Sequence, residues 1–265
     1  RPPRPQITLA VVRREQLSPH LVRIVLGGDA FDAFETTDLT DEYVKIVFAK
    51  PELGLEPPYD LAALRETLEP SDMPVTRTYT VRSVDAVTKT LSIDFIVHGD
   101  EGLAGPWADR AVPGDLLTFS GPGGGYRPDP AADWYLFAGD QSALPAIAAA
   151  LEHLPAEARG LAFVAVGDAA DELVLDAPAG VEVHWLHAAP GVTLAAAVEG
   201  AEWLGGSPQV FAHGEREAMK ALREVFANRG VQRSKLSLSG YWAAGRTEDR
   251  FQAEKREPVG VILPV

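Results

Sequence analysis

The chain has no cysteine in 265 residues. That excludes disulfides, thiol nucleophiles, cysteine zinc sites and cysteine-ligated iron–sulfur clusters, and it agrees with a reducing compartment. No apolar run reaches about 18 residues, so nothing reads as a membrane-spanning helix. Basic charge is scarce: 24 Lys and Arg face 38 Asp and Glu, for a net charge of −14. A nucleic-acid binder would show a basic footprint, and none is present. An anionic ligand would need a local group of Arg or Lys set against the field of the whole chain. Several signatures are also missing: G-x-G-x-x-G, a phosphate loop ending Gly-Lys-[Ser/Thr], G-x-S-x-G and H-E-x-x-H. His184 and His187 are an odd step apart, so on a strand they point to opposite faces and disfavour a shared metal. His20, His98, His153 and His213 show no ligand spacing. The start, Arg1-Pro2-Pro3-Arg4-Pro5, has no signal-peptide core and no methionine, and reads as lying downstream of the native start.

The length favours two domains, and the pattern changes after Arg127-Pro128-Asp129-Pro130, which sets expected domains at 1–128 and 129–265. The first half reads as short strands: Ile7–Arg13, Leu21–Leu26, Tyr43–Phe48, Thr76–Ser83, Thr90–Val97 and Asp115–Phe119. Such spacing predicts a small antiparallel barrel or sandwich. Asp60–Leu68 reads as a short helix or a loop. Gly121-Pro122-Gly123-Gly124-Gly125 reads as a hinge with a cofactor contact. In the second half, apolar runs at Trp134–Ala138, Leu161–Val166, Val181–Leu186, Gln209–Ala212 and Lys235–Leu238 alternate with helical stretches at Ala143–Leu154, Thr193–Glu199 and Glu215–Asn228. That is the pattern of a parallel sheet covered on both faces, whose ligands bind at the carboxyl ends of the strands.

The densest chemistry lies in Arg77-Thr78-Tyr79-Thr80-Val81-Arg82. Alternation on a strand puts Arg77, Tyr79 and Val81 on one face and Thr78, Thr80 and Arg82 on the other, and a bend at the strand end would bring both sets to one ligand. Arg offers a forked donor for phosphate, Tyr a flat face for a ring, and Thr80 a donor for a ring nitrogen. Downstream, His98-Gly99 leads through Gly102-Leu103-Ala104-Gly105 to a helix start near Pro106 or Trp107, whose free N–H groups suit a pyrophosphate. Ala138-Gly139-Asp140-Gln141-Ser142-Ala143-Leu144 and His213-Gly214-Glu215 sit at two expected strand ends, where Asp140 and Ser142 suit helix capping.

These segments, with Asp41-Glu42-Tyr43-Val44-Lys45, Pro113-Gly114-Asp115 and Gly240-Tyr241-Trp242, resemble the siderophore-interacting proteins, which are flavin- and nicotinamide-dependent ferric-siderophore reductases of the ferredoxin-reductase-like superfamily. The resemblance covers almost the whole chain. It implies an N-terminal antiparallel β-barrel that binds FAD, then a C-terminal α/β domain with a parallel sheet that binds NAD(P)H, its last segment returning toward the flavin. Arg77 would engage the FAD phosphate, Tyr79 pack on the isoalloxazine and Thr80 approach its N5, so that Tyr79 and Thr80 carry catalysis. Arg82, His98, Gly102, Ala104, Gly105, Trp107 and Ala108 would hold the cofactor. Asp140, Ser142, Ala143, Leu144, Gly214 and Glu215 would face NADH or NADPH. Lys45, Arg246, Arg250 and Lys255 would receive an anionic ferric siderophore. The chain departs from the family's pattern at Gly102-Leu103-Ala104-Gly105, where a serine contact is often present. It departs again at Ala188, where an arginine that would grip the NADPH 2′-phosphate is common, and at Ala243, where a basic residue is common; Arg246 is the substitute there, and Arg233 and Lys235 are candidates to replace the arginine at 188.

The chemistry agrees with this assignment. A nicotinamide gives up two electrons as hydride whereas Fe(III) accepts one; the flavin that the resemblance implies can bridge these steps, and without cysteine this chain has no iron–sulfur alternative. Hard oxygen chelators hold Fe(II) less tightly than Fe(III), so reduction releases the metal. The expected protein is therefore a cytoplasmic, monomeric oxidoreductase without a resident metal, taking a ferric siderophore as substrate and with a ferredoxin as a second candidate partner. Two alternatives remain: a general flavin reductase with a protein or quinone acceptor, and a module that holds a ferric chelate or flavin without turnover.

Overall fold

The computed structural model describes residues 4–99 and 102–263. The chain divides into two units, Arg1–Gly125 and Tyr126–Val265. In the first, β1 (Gln6–Ser18), β2 (Leu21–Gly27), β3 (Tyr43–Phe48), β4 (Val75–Asp85), β5 (Thr90–Ile96) and β6 (Leu116–Gly123) close into an antiparallel barrel in the order β1-β2-β5-β4-β3-β6. Period-two alternation drives this: Ile7, Leu9 and Val11 of β1 are buried, as are Ile24 and Leu26 of β2, Ile46 of β3 and Phe119 of β6. Closure leaves no open sheet edge. Outside the barrel, Arg23 of β2 forks onto Asp94 of β5, its cross-strand partner, through Nε at 2.7 Å and Nη2 at 2.9 Å.

Two elements differ from expectation. β1 runs on through Arg14-Glu15-Gln16, a polar stretch without alternation, because it pairs with Ile24, Arg23 and Val22 of β2 in a hairpin. β6 extends through Gly121-Pro122-Gly123, which the sequence reads as hinge; Gly123 pairs with Tyr43, and a Cβ there would fall onto the Tyr43 ring. Between β3 and β4, α1 (Leu61–Thr67) is a true helix, capped by Asp60 through Ala62 and Ala63 N–H groups at 3.1 and 3.0 Å. Between β5 and β6, α2 (Ala104–Arg110) packs on the barrel through Ala104 and Ala108.

In the second unit, β7 (Trp134–Asp140), β8 (Arg159–Val166), β9 (Gly180–His187), β10 (Pro208–Glu215) and β11 (Leu236–Trp242) form a parallel sheet in the order β11-β10-β7-β8-β9. The helices are α3 (Leu144–Glu152), α4 (Leu194–Gly200), α5 (Arg216–Asn228) and α6 (Glu248–Glu254). One sheet face packs Trp134, Leu136, Ala138, Val210 and Ala212 against Leu194 and Val198 of α4 and Met219, Leu222 and Phe226 of α5. Burying each such Leu or Phe contributes about 1.5–3 kcal/mol. The other face carries Phe137, Phe211 and His213, and receives Tyr126. Both halves of the expected architecture, antiparallel barrel then parallel α/β sheet, are present. Among the described residues no helix is long and apolar enough to cross a membrane.

Candidate functional site

In the barrel unit, strand pairing sets Arg77 opposite Ile46, Tyr79 opposite Val44 and Thr80 opposite Tyr43. Val81 pairs with Ile93, but Ser83 rather than Arg82 pairs with Ser92, so Arg82 sits in a bulge. Val84 then packs against the core, and the bend lies inside the strand instead of at its end. Tyr79 lies 4.5 Å from Phe95, Phe95 5.6 Å from Trp107, and Trp107 6.1 Å from Phe48, centroid to centroid. This chain of rings fastens α2 to the barrel beside β4.

Gly105 explains how α2 approaches so closely: a Cβ there would stand 2.8 Å from the Ile96 carbonyl oxygen. The helix begins at Ala104, earlier than the expected Pro106 or Trp107, and no side chain caps it. Gly99 and Gly102 turn the loop at φ +59° and +77°, values that suit glycine. Exposed His98 sits 5.5 Å from the His20 ring, while the His20 carbonyl accepts the Val97 N–H at 2.9 Å. Thr80 is buried; Arg77 and Arg82 are half-buried, and Arg77 Nη1 donates to the Thr76 carbonyl at 3.0 Å.

The adjoining carboxylates serve the frame. Glu42 accepts Thr36 Oγ1 at 3.0 Å and Thr37 N–H at 2.5 Å, and burial raises its pKa despite these bonds. Its carbonyl accepts the Val81 N–H at 2.8 Å, and Asp41 Oδ1 accepts the Gly125 N–H at 2.9 Å. Two arginines, a row of rings, an uncapped helix start and a glycine-turned loop form a donor set that fits FAD: Tyr79 for the ring system, the arginines and the α2 turn for phosphates.

In the α/β unit the chain order reverses at β7. Strands β8 and β9 extend to one side, while β10 and β11 extend to the other. The crevice at the carboxyl ends of β7 and β10 is thus the topological switch point, where doubly wound sheets bind ligands. Asp140, Ser142, Gly214 and Glu215 meet there, whereas the side chains of Ala143 and Leu144, which follow in the chain, are buried instead of facing the crevice. Asp140 Oδ1 accepts the Ser142 N–H at 2.9 Å and the Ser142 hydroxyl; Oδ2 accepts the Glu215 N–H at 2.8 Å and Trp242 Nε1–H at 2.8 Å. Gly214, at φ +154°, has no room for a Cβ, which would stand 2.7 Å from Asp140 Oδ2. Glu215 caps α5 through Glu217 and Ala218 N–H groups at 2.7 and 2.9 Å, and also accepts the Ala244 N–H at 3.1 Å. Both acids therefore tie strand ends together, leaving backbone and the Ser142 region to line the crevice. Nothing in the pattern of residues pointed to Trp242 as a partner of Asp140, since the link spans distant parts of the chain.

The basic candidates fall in two places. Lys45 is exposed on β3 of the barrel unit. In the α/β unit, buried Glu254 accepts Arg216 Nη1 at 2.6 Å, Arg246 Nε at 2.9 Å and Arg250 Nε at 3.0 Å. Arg216 first, then Arg250 and Arg246, hold the Glu254 carboxyl down to about 2. Arg246 precedes α6, so it meets Arg250 at this shared acid and not through helical spacing. Lys255 places its Nζ 4.8 Å from the Phe251 ring.

On the reductant side, Arg233 and Lys235 precede β11, at the amino end of the opposite edge strand from β9. They therefore do not replace the arginine absent at exposed Ala188. From Gly160 to Glu215 the chain contains no Lys or Arg. His187 pairs instead with Glu172 at 2.6 Å, and His184 with Glu182 at 3.5 Å.

Two family models match: residues 10–126 fit the siderophore-interacting FAD-binding domain, and 132–245 the siderophore-interacting protein domain. The chain is a siderophore-interacting protein. It is 35% identical to the ferric vibriobactin reductase ViuB of Vibrio cholerae, covering 93% of each chain. It is 34% identical to the NADPH-dependent ferric-chelate reductase of Escherichia coli, covering 67% of this chain and 70% of that one. Among solved structures, the siderophore utilization protein from T. fusca superposes with a TM-score of 0.79 at 39% identity, covering 92% of this chain and 95% of that one. The barrel is thus the FAD-binding domain of this siderophore-interacting protein, and the sheet its second domain.

Proposed function

We propose that this siderophore-interacting protein is a ferric-siderophore reductase that takes electrons from NADH or NADPH through FAD and releases Fe(II). The observation that carries the reading is the pair of complementary sites: an Arg-Tyr-Thr strand beside an uncapped helix start in the barrel, and a switch-point crevice in the sheet. Bound FAD would accept hydride from the nicotinamide and return the electrons singly, so two ferric ions are reduced per hydride. Arg77, Arg82 and the first turn of α2 would anchor its phosphates, Tyr79 would support its ring system, and Thr80 would offer a hydroxyl to its reactive edge. His98, Gly102 and the start of α2 from Ala104 to Ala108 would help hold the cofactor. Ser142, Gly214 and the backbone at Ala143 and Leu144 would line the nucleotide crevice, with Asp140 and Glu215 fixing its walls. Lys45, Arg246, Arg250 and Lys255 would draw in an anionic chelate against the −14 charge of the chain.

The same reading assigns a cytoplasmic monomer, where NADH and NADPH are at hand, with a ferredoxin as a second candidate reductant. The names of the curated relatives support the substrate class. Anaerobic stopped-flow tests it: NADH or NADPH should bleach the flavin, and ferric siderophores should restore its colour at two irons per flavin, more slowly in salt. Reoxidation by ferredoxin or quinones but not by ferric chelates would overturn the substrate assignment. A protein that binds flavin yet is never bleached would overturn the enzyme.

A further inference from the structure

Trp242 ends β11 at the switch point. Its indole Nε1–H donates to Asp140 Oδ2 at 2.8 Å, yet the residue remains 42% exposed. A bulge brings it there. His213 is opposite Ser239 and Gly214 opposite Gly240, but Glu215 is opposite Trp242, so Tyr241 is the extra residue. Bulges re-aim side chains: Tyr241 turns edge-on to His213 at 5.0 Å, and Trp242 is delivered to Asp140. The carboxylate it grips is itself held by the Ser142 N–H, the Ser142 hydroxyl and the Glu215 N–H. The indole is fixed at its polar tip while much of its surface stays open to solvent. That is a prepared platform for a planar ring.

The topology says which ring. In doubly wound sheets the pyrophosphate sits at the turn after the first strand, and the adenosine ribose reaches toward the next one. Here those are β7 and β8, which leaves the nicotinamide on the β10–β11 side, where Trp242 stands. We propose that Trp242 is the nicotinamide-stacking residue of this protein, its indole held in place by Asp140. The inference rests on the dinucleotide reading above.

The test uses the flavin-loaded protein and titrates tryptophan emission with NAD+ and, separately, with ADP-ribose, which lacks the nicotinamide. Stacking a ring on an aromatic side chain supports a loss of about tenfold in NAD+ affinity for Trp242→Ala. Trp242→Phe keeps a ring but no Nε1–H, and should stay within about threefold of wild type. ADP-ribose affinity and FAD content should be the same in all three proteins. Equal NAD+ affinity in wild type and Trp242→Ala would overturn the assignment. So would a Trp242→Phe loss as large as that of alanine, which would make the residue a tether only, or an equal loss of ADP-ribose, which would put another part of the nucleotide on the indole. Failure of the wild type to bind NAD+ at all, with no bleaching by NADH, would remove the dinucleotide reading itself and this inference with it.

Discussion

Acid should loosen the α/β unit through one buried imidazole. His213 is 4% exposed, its Nε2 lies 2.9 Å from Ser237 Oγ, and its Nδ1 finds no hydrogen-bond partner among the described residues. Burial alone drives its pKa from 6.5 down to about 3. Between those values the unfolded chain binds a proton that the folded chain refuses. Stability is therefore full above about pH 6.5, falls as the pH drops, and levels off near pH 3. Each pH unit inside that window costs about 1.4 kcal/mol. Going from pH 7.5 to pH 5 crosses roughly 1.5 units of it and removes about 2 kcal/mol, a large share of the ~5–15 kcal/mol that holds a typical domain folded. Urea unfolding followed by tryptophan emission reports on this unit, because Trp134, Trp185, Trp203 and Trp242 lie in it and Trp107 alone does not. His213→Phe, which keeps a ring beside Phe211 and Tyr241 but cannot titrate, should lose about 2 kcal/mol less on acidification than wild type. His213→Gln, also without a titrating group, should share that flatter response. Identical pH dependence in wild type and both variants would refute the reasoning.

Two further outcomes follow from the geometry. Gly105→Ala should push α2 off the Ile96 carbonyl and cut FAD retention by about tenfold, roughly 1.4 kcal/mol, read as flavin lost on dialysis; unchanged retention would show that the close approach has no bearing on the cofactor. Flavin reduction should favour NADH or discriminate weakly, since Ala188 stands in a stretch without Lys or Arg; a preference for NADPH above about 100-fold would show that a cation from outside that stretch serves the 2′-phosphate.

What the residues disclosed in advance was whatever depends on local pattern. Tyr43–Phe48 is so rich in β-branched and aromatic residues that its bounds are those of β3, and Trp134–Ala138 is apolar enough to mark a strand covered on both sides. The helix after His213-Gly214 was legible to within a residue, Glu215 being the N-cap of α5, but the capping read at Asp140 and Ser142 is not made: α3 starts behind Ala143 with no side-chain cap, because Asp140 is taken by the Ser142, Glu215 and Trp242 donors. The features that stayed hidden depend on register between distant segments. The bulge at Arg82 exists because β5 pairs as it does, and the one at Tyr241 because β10 sets the spacing of β11. Asp140 and Glu215 look like ligand-facing acids in isolation, and only the sheet order brings the N–H groups that occupy them. Arg233 and Lys235 read as candidates for the role of an arginine at 188 because a list of strands does not reveal that β11 and β9 are opposite edges.

Glu254 gives the C-terminal segment a property that a simple ion pair lacks. One buried carboxylate serves three guanidinium groups, and Glu217 also accepts Arg216 Nε at 3.2 Å, so positive charge exceeds negative by one within this group of a strongly acidic chain. Should Arg246 or Arg250 swing out to an incoming anion, the carboxylate keeps Arg216, itself buried and bonded at 2.6 Å, and is never orphaned. Removing a lone partner from a buried acid would be strongly destabilising; here the loss of one outer arginine leaves two others on the carboxylate. The attachment of the segment to the fold through Arg216 and Glu254 therefore does not depend on either outer arginine.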